Sequence, residues 1–163
     1  MAVYAQFDGM DGQAMDKGYE KWCILHEYTI NASRNLMAGG AAQQSQQRVT
    51  GSTQLGPIML RKNVDKADPK LLAAALGGKI VKKVMIVETV TIGGKSEINS
   101  QYELSDVLVT SVMTAGDGKS NQSSLVGLMP TGIKFKFQEI DTKDGSVKGS
   151  VEGEYDANTL TAK

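Results

Sequence analysis

The sequence has very little of the chemistry on which most catalytic and metal sites depend. Its 163 residues include one cysteine, Cys23, and one histidine, His26. A single cysteine excludes an internal disulfide, so the fold has no covalent cross-link and fits a reducing cytoplasm. A lone histidine without neighbouring ligands in the sequence does not indicate a metal site. We therefore expect no catalytic residues, no metal and no cofactor.

Net charge, long apolar runs and a secretory signal are lacking as well. The 18 basic and 18 acidic residues cancel, so the chain has no overall positive field to attract nucleic acid. No apolar run approaches the about 20 residues that a membrane helix needs, so we expect no membrane insertion. The N-terminus, Met1–Asp8, has neither a basic segment nor a long apolar segment typical of a cleaved signal. We expect that if the protein leaves the cell, another machine carries it.

Proline is scarce and glycine is common, with 3 and 18 copies respectively. Many of the glycines stand in Asp-Gly or Gly-Gly pairs, which are typical of tight turns between strands. Runs of alternating apolar and polar residues between these turns predict about eight strands. Strands in that number and at that spacing favour a mainly β sandwich or barrel.

The longest early strand is predicted from Trp22 to about Ala32, where apolar residues alternate with period two. Alternation predicts a mostly core-like face with Trp22, Ile24, His26, Tyr28 and Ile30. It places on the other face Cys23, Leu25, Glu27, Thr29 and Asn31. Cys23 and His26 would then point to opposite sides, so we interpret them as structural residues and not as a nucleophile and base.

One short helix is predicted at about residues 68–76. Asp68 can accept hydrogen bonds from the first-turn amides, and Pro69 suits the first helical position. Gly77 and Gly78 end the helix, whose predicted apolar stripe consists of Leu71, Leu72, Ala75 and Leu76. A helix this short is not stable alone, so we expect it to pack against the sheet.

The segment from Met37 to Thr53 has a different composition from the rest of the chain. Its residues are mostly small or polar, which favours a flexible chain, and none before Arg48 carries a charge. A loop of this length inside a domain is usually functional or disordered. We expect an extended loop at about 37–53.

Two Gly-Lys-Ser tripeptides, Gly94-Lys95-Ser96 and Gly118-Lys119-Ser120, are similar to the end of a phosphate-binding loop. The earlier glycine of that motif is replaced by Thr89 and Met113 respectively, and no helix is predicted after either. We therefore predict ordinary turns at both positions.

The stretches Val3–Asp16, Val64–Leu71 and Val107–Gly116 resemble motifs of one known family, the haemolysin-coregulated protein (Hcp) family, which is the tube subunit of type VI secretion systems. The opening Val3–Asp16 is similar to the family's first strand and turn, although Gln13-Ala14 replaces the usual Glu-Ser. Val64–Leu71 resembles the entry to the family's single helix, and Val107–Gly116 is similar to its V-L-V-S-S-V segment. The likeness extends over nearly the whole chain.

The resemblance implies a fold and an assembly. The fold would be one domain over residues 1–163, a compact β-barrel of two antiparallel sheets with one short flanking α-helix. The protein would form homohexameric rings that stack into a tube, with sheath proteins, the spike protein VgrG and effector cargo as partners. It would be cytoplasmic before firing, and contraction of the sheath would then drive it to the exterior or into target cells.

The resemblance also implies roles for particular residues. Thr29 lies near a position where the family faces the ring lumen and touches cargo, which implies a chaperone role. The loop would contact the neighbouring ring in the stack through Gly39, Gly40, Gln43, Gln44, Gln46, Gln47 and Arg48. The alternatives are a monomeric barrel that binds a small ligand in a central cavity and, last, an enzyme.

Overall fold

The computed structural model describes residues 1–35 and 52–162. Within these ranges the chain forms one helix and a series of strands. In chain order they are β1 (Ala2–Phe7), β2 (Cys23–Thr29), β3 (Ala32–Asn35), β4 (Ser52–Leu55), β5 (Ile58–Asn63), α1 (Asp68–Gly77), β6 (Ile80–Ile92), β7 (Lys95–Ala115), β8 (Ser123–Met129), β9 (Gly132–Ile140), β10 (Val147–Asp156) and β11 (Thr161–Ala162). The described residues contain no helix long and apolar enough to cross a membrane.

Six strands close into a barrel, in the order β7, β6, β1, β2, β5 and β8, with β8 pairing back to β7. All of the strand pairs among them are antiparallel. The barrel interior is filled by fully buried side chains, the largest of which include Phe7, Ile58, Leu60, Ile86, Leu104 and Leu128. The predicted mainly β barrel with one helix is therefore confirmed.

The long strand β7 belongs to both the barrel and a sheet that extends from it. Its first part, Ser100 to Ser105, pairs with β9, while its second part, Leu108 to Ala115, pairs with β8. Asp106, between the two parts, has a φ of 46°, which bends the strand from one partner to the other. Strands β9, β10 and β11 form the extension.

The single strand predicted from Trp22 to Ala32 is two strands. After β2 ends at Thr29, β3 pairs with β4 in a separate two-stranded sheet. Most of the predicted loop at 37–53 lies outside the described residues, but residues 52 and 53 belong to β4 and not to the loop.

The predicted faces of β2 are wrong for its first half. Cys23 and Leu25 are buried in the core, whereas Ile24 is exposed. A β-bulge against β5 between Leu25 and Glu27 then shifts the register. Because one extra residue reverses the alternation, Tyr28 packs against the core as predicted.

Helix α1 is confirmed at Asp68–Gly77, but Asp68 is not its cap. The N-cap residue is Ala67, which has helical dihedral angles and no capping side chain. At the other end Gly78 takes a left-handed φ of 64°, and its amide donates to the carbonyl of Ala74. The buried side contains Leu71 and Ala74, three residues apart, with Ala75 partly buried. Leu72 and Leu76 are exposed, so the predicted stripe was partly wrong.

Candidate assembly surfaces

Cys23 and His26 are not brought together. The Cys23 thiol is buried in the barrel, and burial raises its pKa, with the nearby Asp65 carboxyl raising it further. His26 is exposed, and its Nε2 lies 3.0 Å from Oδ1 of Asn63. Across residues 1–35 and 52–162, no group of three or more histidine, cysteine or acidic side chains is placed to hold a metal ion.

The two Gly-Lys-Ser tripeptides lie at turns, as predicted. Gly94 has a φ of 81° in the turn between β6 and β7. At the second tripeptide, Oδ1 of Asp117 accepts hydrogen bonds of 2.9 Å from the amides of Lys119 and Ser120. These amides bind a carboxylate of their own loop, which is the usual pattern of an aspartate turn.

Thr29, the predicted lumen residue, is the last residue of β2. It is exposed and pairs with Met59 of β5. The separate sheet of β3 and β4 begins three residues later, at Ala32. Thr29 therefore lies where the barrel wall meets the stem of the long loop.

The predicted stacking residues, Gly39 to Arg48, lie outside the described residues, but the stem that carries them is described. Strands β3 and β4 pair from Ala32 and Leu55 to Asn35 and Ser52. Below this pairing the amide of Gly56 donates to the carbonyl of Asn31 over 2.8 Å. The stem is thus a hairpin connected to β2 on one side and β5 on the other.

A buried charge cluster fastens the helix to the barrel. The Nζ of Lys62, which is 0% exposed, donates to Oδ1 of Asp65 over 2.8 Å, to Oδ2 of Asp68, and to the carbonyl of Asn63 over 3.1 Å. Oδ2 of Asp68 also accepts the Asp65 amide at 2.7 Å. This role of Lys62 is not among the sequence predictions, although Lys62 follows Ile58 and Leu60 on the inward face of β5.

The pKa values of the cluster reflect competition between burial and hydrogen bonding. Burial alone would raise the pKa of Asp68, but hydrogen bonds led by that from Lys62 outweigh it and hold the pKa below its usual range. Burial would likewise lower the pKa of Lys62, but hydrogen bonds to Asp65 and Asp68 outweigh it and raise the pKa. The cluster is therefore a network of charged groups.

Aromatic rings extend from the barrel onto the extension sheet. Tyr102 stacks on Phe135 with ring centroids 4.4 Å apart, and Tyr28 meets Tyr102 edge-on at 5.6 Å. The Tyr28 hydroxyl donates to Oε2 of Glu88 over 3.0 Å, and burial together with this hydrogen bond raises the pKa of Tyr28. These contacts tie β2, β6, β7 and β9 together on one face.

The same face continues onto β9 and β10 and becomes exposed there. Phe137 lies directly opposite Val151, and their exposed fractions are 42% and 73%. We call Tyr102, Phe135, Phe137 and Val151 the apolar strand face. The other side of this sheet is charged, with Glu152 bridging Lys134 and Lys136 at 3.1 and 3.4 Å. As predicted, lysines and aromatic residues of β9 lie on opposite sides.

The family model described as "Type VI secretion system effector, Hcp" matches residues 4–143 of this chain. The chain belongs to the Hcp family. The resemblance drawn from Val3–Asp16, Val64–Leu71 and Val107–Gly116 is therefore confirmed, and the protein is placed within type VI secretion as a member of its effector and tube family. A sequence search among curated proteins found no significant match.

Solved structures with the same fold match this Hcp-family chain over almost its full length. One described as a type six secretion system protein has a TM-score of 0.90 at 20% identity and covers 99% of both chains. Hcp1 from Salmonella typhimurium has a TM-score of 0.76 at 17% identity, covering 99% of this chain and 98% of its own. A type VI secretion system effector from Yersinia pestis has a TM-score of 0.73 at 18% identity, with 94% and 98% covered. At such identities these likenesses show the fold.

Proposed function

We propose that this chain is a structural subunit of the type VI inner tube and not an enzyme. In this proposal it forms hexameric rings that stack, and contraction of the sheath expels them. The observation that carries the proposal is the family match over residues 4–143. The filled barrel also supports the tube proposal, because core side chains occupy the interior, where the alternative function would require a cavity for a small ligand.

We further propose that residues 1–163 act as one domain with two assembly regions. The hairpin stem of β3 and β4 carries the loop that would contact the next ring, where uncharged glutamines suit hydrogen bonds between identical surfaces. The stacking residues are Gly39, Gly40, Gln43, Gln44, Gln46, Gln47 and Arg48. The exposure of Thr29 at the end of β2 supports its assignment to the lumen, in contact with effector cargo.

The proposed partners follow from this place in the machine. They are further copies of the chain, the sheath, the spike protein VgrG and effectors, some of which would be protected inside the ring. The subunit would wait in the cytoplasm and leave the cell through the type VI machine.

Native mass spectrometry of the full chain at micromolar concentration, with electron microscopy of stained particles, tests the ring. We expect a hexamer with a central hole. A monomer at every concentration, in both assays, would contradict the proposal.

Deletion of Gln43–Gln47 tests the loop separately from the ring. We expect hexamers that no longer stack, with an unchanged thermal unfolding transition, because the deleted residues lie beyond the β3–β4 stem. A matched deletion of Gly118–Gln122, in the polar turn before β8, is the control and should leave stacking intact. Normal stacking by the Gln43–Gln47 deletion would exclude the loop's proposed role.

A further inference from the structure

The apolar strand face includes two positions at which β10 carries a glycine. In the register of β9 and β10, Gly153 lies opposite Phe135, and Gly149 lies opposite Glu139. The two glycines flank Val151 on this face, so β10 offers no side chain over the Phe135 ring. This leaves a shallow site bounded by Phe137 and Val151, which together leave much of their apolar surface open to water.

A second apolar surface lies on the outer side of helix α1. Leu72 and Leu76 are four residues apart and so share one face of the helix. Their exposed fractions are 46% and 83%, while Leu71 and Ala74 are buried against the barrel. Leu76 is therefore a projecting apolar side chain that no other part of the described chain covers.

The two surfaces carry opposite charge. Residues 66–83, around the helix, contain five lysines and one acidic residue, the buried Asp68. On β9 and β10, Glu152 and Glu154 lie on the other side of the sheet with Lys134 and Lys136, whereas the exposed Glu139 lies on the side of Phe137. Opposite charges at the rims of two apolar surfaces favour their encounter and fix their orientation.

The two surfaces of one copy cannot meet each other. Phe137 pairs with Ser100 of β7, whereas the helix leads into Ile80, which pairs with Leu108 of β7. The six positions from Ser100 to the bend at Asp106 alone span about 20 Å of strand. A contact between the surfaces therefore joins two copies, and because the surfaces differ it is heterologous, the type of contact that can close into a ring.

We propose that Leu72 and Leu76 of one copy dock on the apolar strand face of the next copy, and that this contact joins neighbours within the ring. The proposal rests on the ring assembly proposed above. Leu76 occupies the site over Gly153, between Phe137 and Val151, and Lys79 at the end of the helix lies towards Glu139.

Charge substitutions in the full-length chain test the contact. Leu76→Lys and Val151→Glu each place a charge in the apolar contact, and we expect each to weaken hexamer formation by about tenfold or more. The double variant, Leu76→Lys with Val151→Glu, brings opposite charges together and should recover hexamers. Met15→Glu, at an exposed apolar residue outside both surfaces, is the control and should assemble as the wild type does. Thermal unfolding of each variant shows whether it is folded.

The outcomes distinguish a failure of this contact from a failure of the proposed function. If the wild type forms no ring, the proposed function fails and the contact fails with it. If both single variants form rings as well as the wild type, the ring stands and this contact is wrong. If both lose the ring and the double variant does not recover it, the surfaces do not face each other and the pairing is overturned.

Cysteine cross-linking gives a second measurement that does not depend on charged variants. With Leu76→Cys and Val151→Cys in one chain, oxidation should produce covalent ladders of up to six copies, since the native Cys23 is buried. Monomers alone after oxidation of assembled rings would overturn the contact.

Discussion

Removal of the Lys62 side-chain charge should be among the most damaging changes in the described chain. The substitution Lys62→Met keeps the length of the side chain but leaves the carboxylates of Asp65 and Asp68 without their shared cation. Both side chains are less than a tenth exposed, at 9% and 8%, so water does not replace the lost contact. The charge of Asp68 is then buried without a partner.

Breaking one side of a buried ion pair costs about 3–5 kcal/mol, against a total folding stability of about 5–15 kcal/mol for a typical domain. The matched control is Lys83→Met, because Lys83 pairs with Glu103 over 3.0 Å but the two side chains are 50% and 37% exposed. An exposed pair of this kind contributes about 0–1 kcal/mol. The two lysine variants should therefore differ by several kcal/mol.

Equilibrium urea unfolding followed by circular dichroism measures the difference. With a slope of about 2 kcal/mol per molar urea, a loss of 4 kcal/mol moves the midpoint by about 2 M. The double variant Lys62→Met with Asp68→Asn should be more stable than Lys62→Met alone, because the orphaned charge is gone. Equal midpoints for Lys62→Met and Lys83→Met would refute the reasoning.

The same cluster sets a pH dependence. The folded pKa of Asp68 is lowered, so its contribution is present above the unfolded value of about 3.9 and is lost as the pH falls through the folded pKa. The folded pKa of Lys62 is raised, so its contribution is present below about 10.4 and is lost as the pH rises through the folded pKa. In the Lys62→Met variant, the loss of folding stability at alkaline pH that comes from Lys62 should therefore be absent.

Two further experiments test the close backbone contact at Gly12 and the burial of Cys23. Gly12→Ala should destabilise the fold by more than about 1 kcal/mol, because the added Cβ would clash with the backbone carbonyl of Trp22. Gly77→Ala is its control, since nothing lies within 4 Å there, and urea midpoints that match for both would contradict this. Cys23 should react with a thiol reagent, followed by absorbance, only upon unfolding, because it is buried and its pKa is raised. Rapid labelling of the native protein would show otherwise.

The features predicted well from the sequence are those decided by local chemistry. Pro69 sets the start of the helix and the glycines after Leu76 set its end, whatever surface the helix packs against. Gly93-Gly94 makes a turn because both residues tolerate positive φ. The alternation of Phe135 and Phe137 with lysines likewise sets two faces of β9 without reference to any partner strand.

The features missed depend on residues distant in the sequence. The bulge after Leu25 exists because of how β2 pairs with β5, and alternation within β2 contains no sign of it. Asp68 is a residue type that commonly caps a helix, but its carboxylate accepts a hydrogen bond from Lys62 and does not cap the helix. The exposed pair of Phe137 and Val151 depends on the register of two strands, so the proposed docking surface could not be located from either strand alone.

The sharing of β7 between two sheets has a consequence for how the protein folds. The N-terminal strand β1 pairs with β6, about 80 residues later, and the barrel closes when β8 joins β5 to β7. Such distant pairings must all form together, which places folding in the range of milliseconds to seconds. During synthesis the barrel can close only after Met129 has left the ribosome, and β9 and β10 then add to an edge of β7 that already exists.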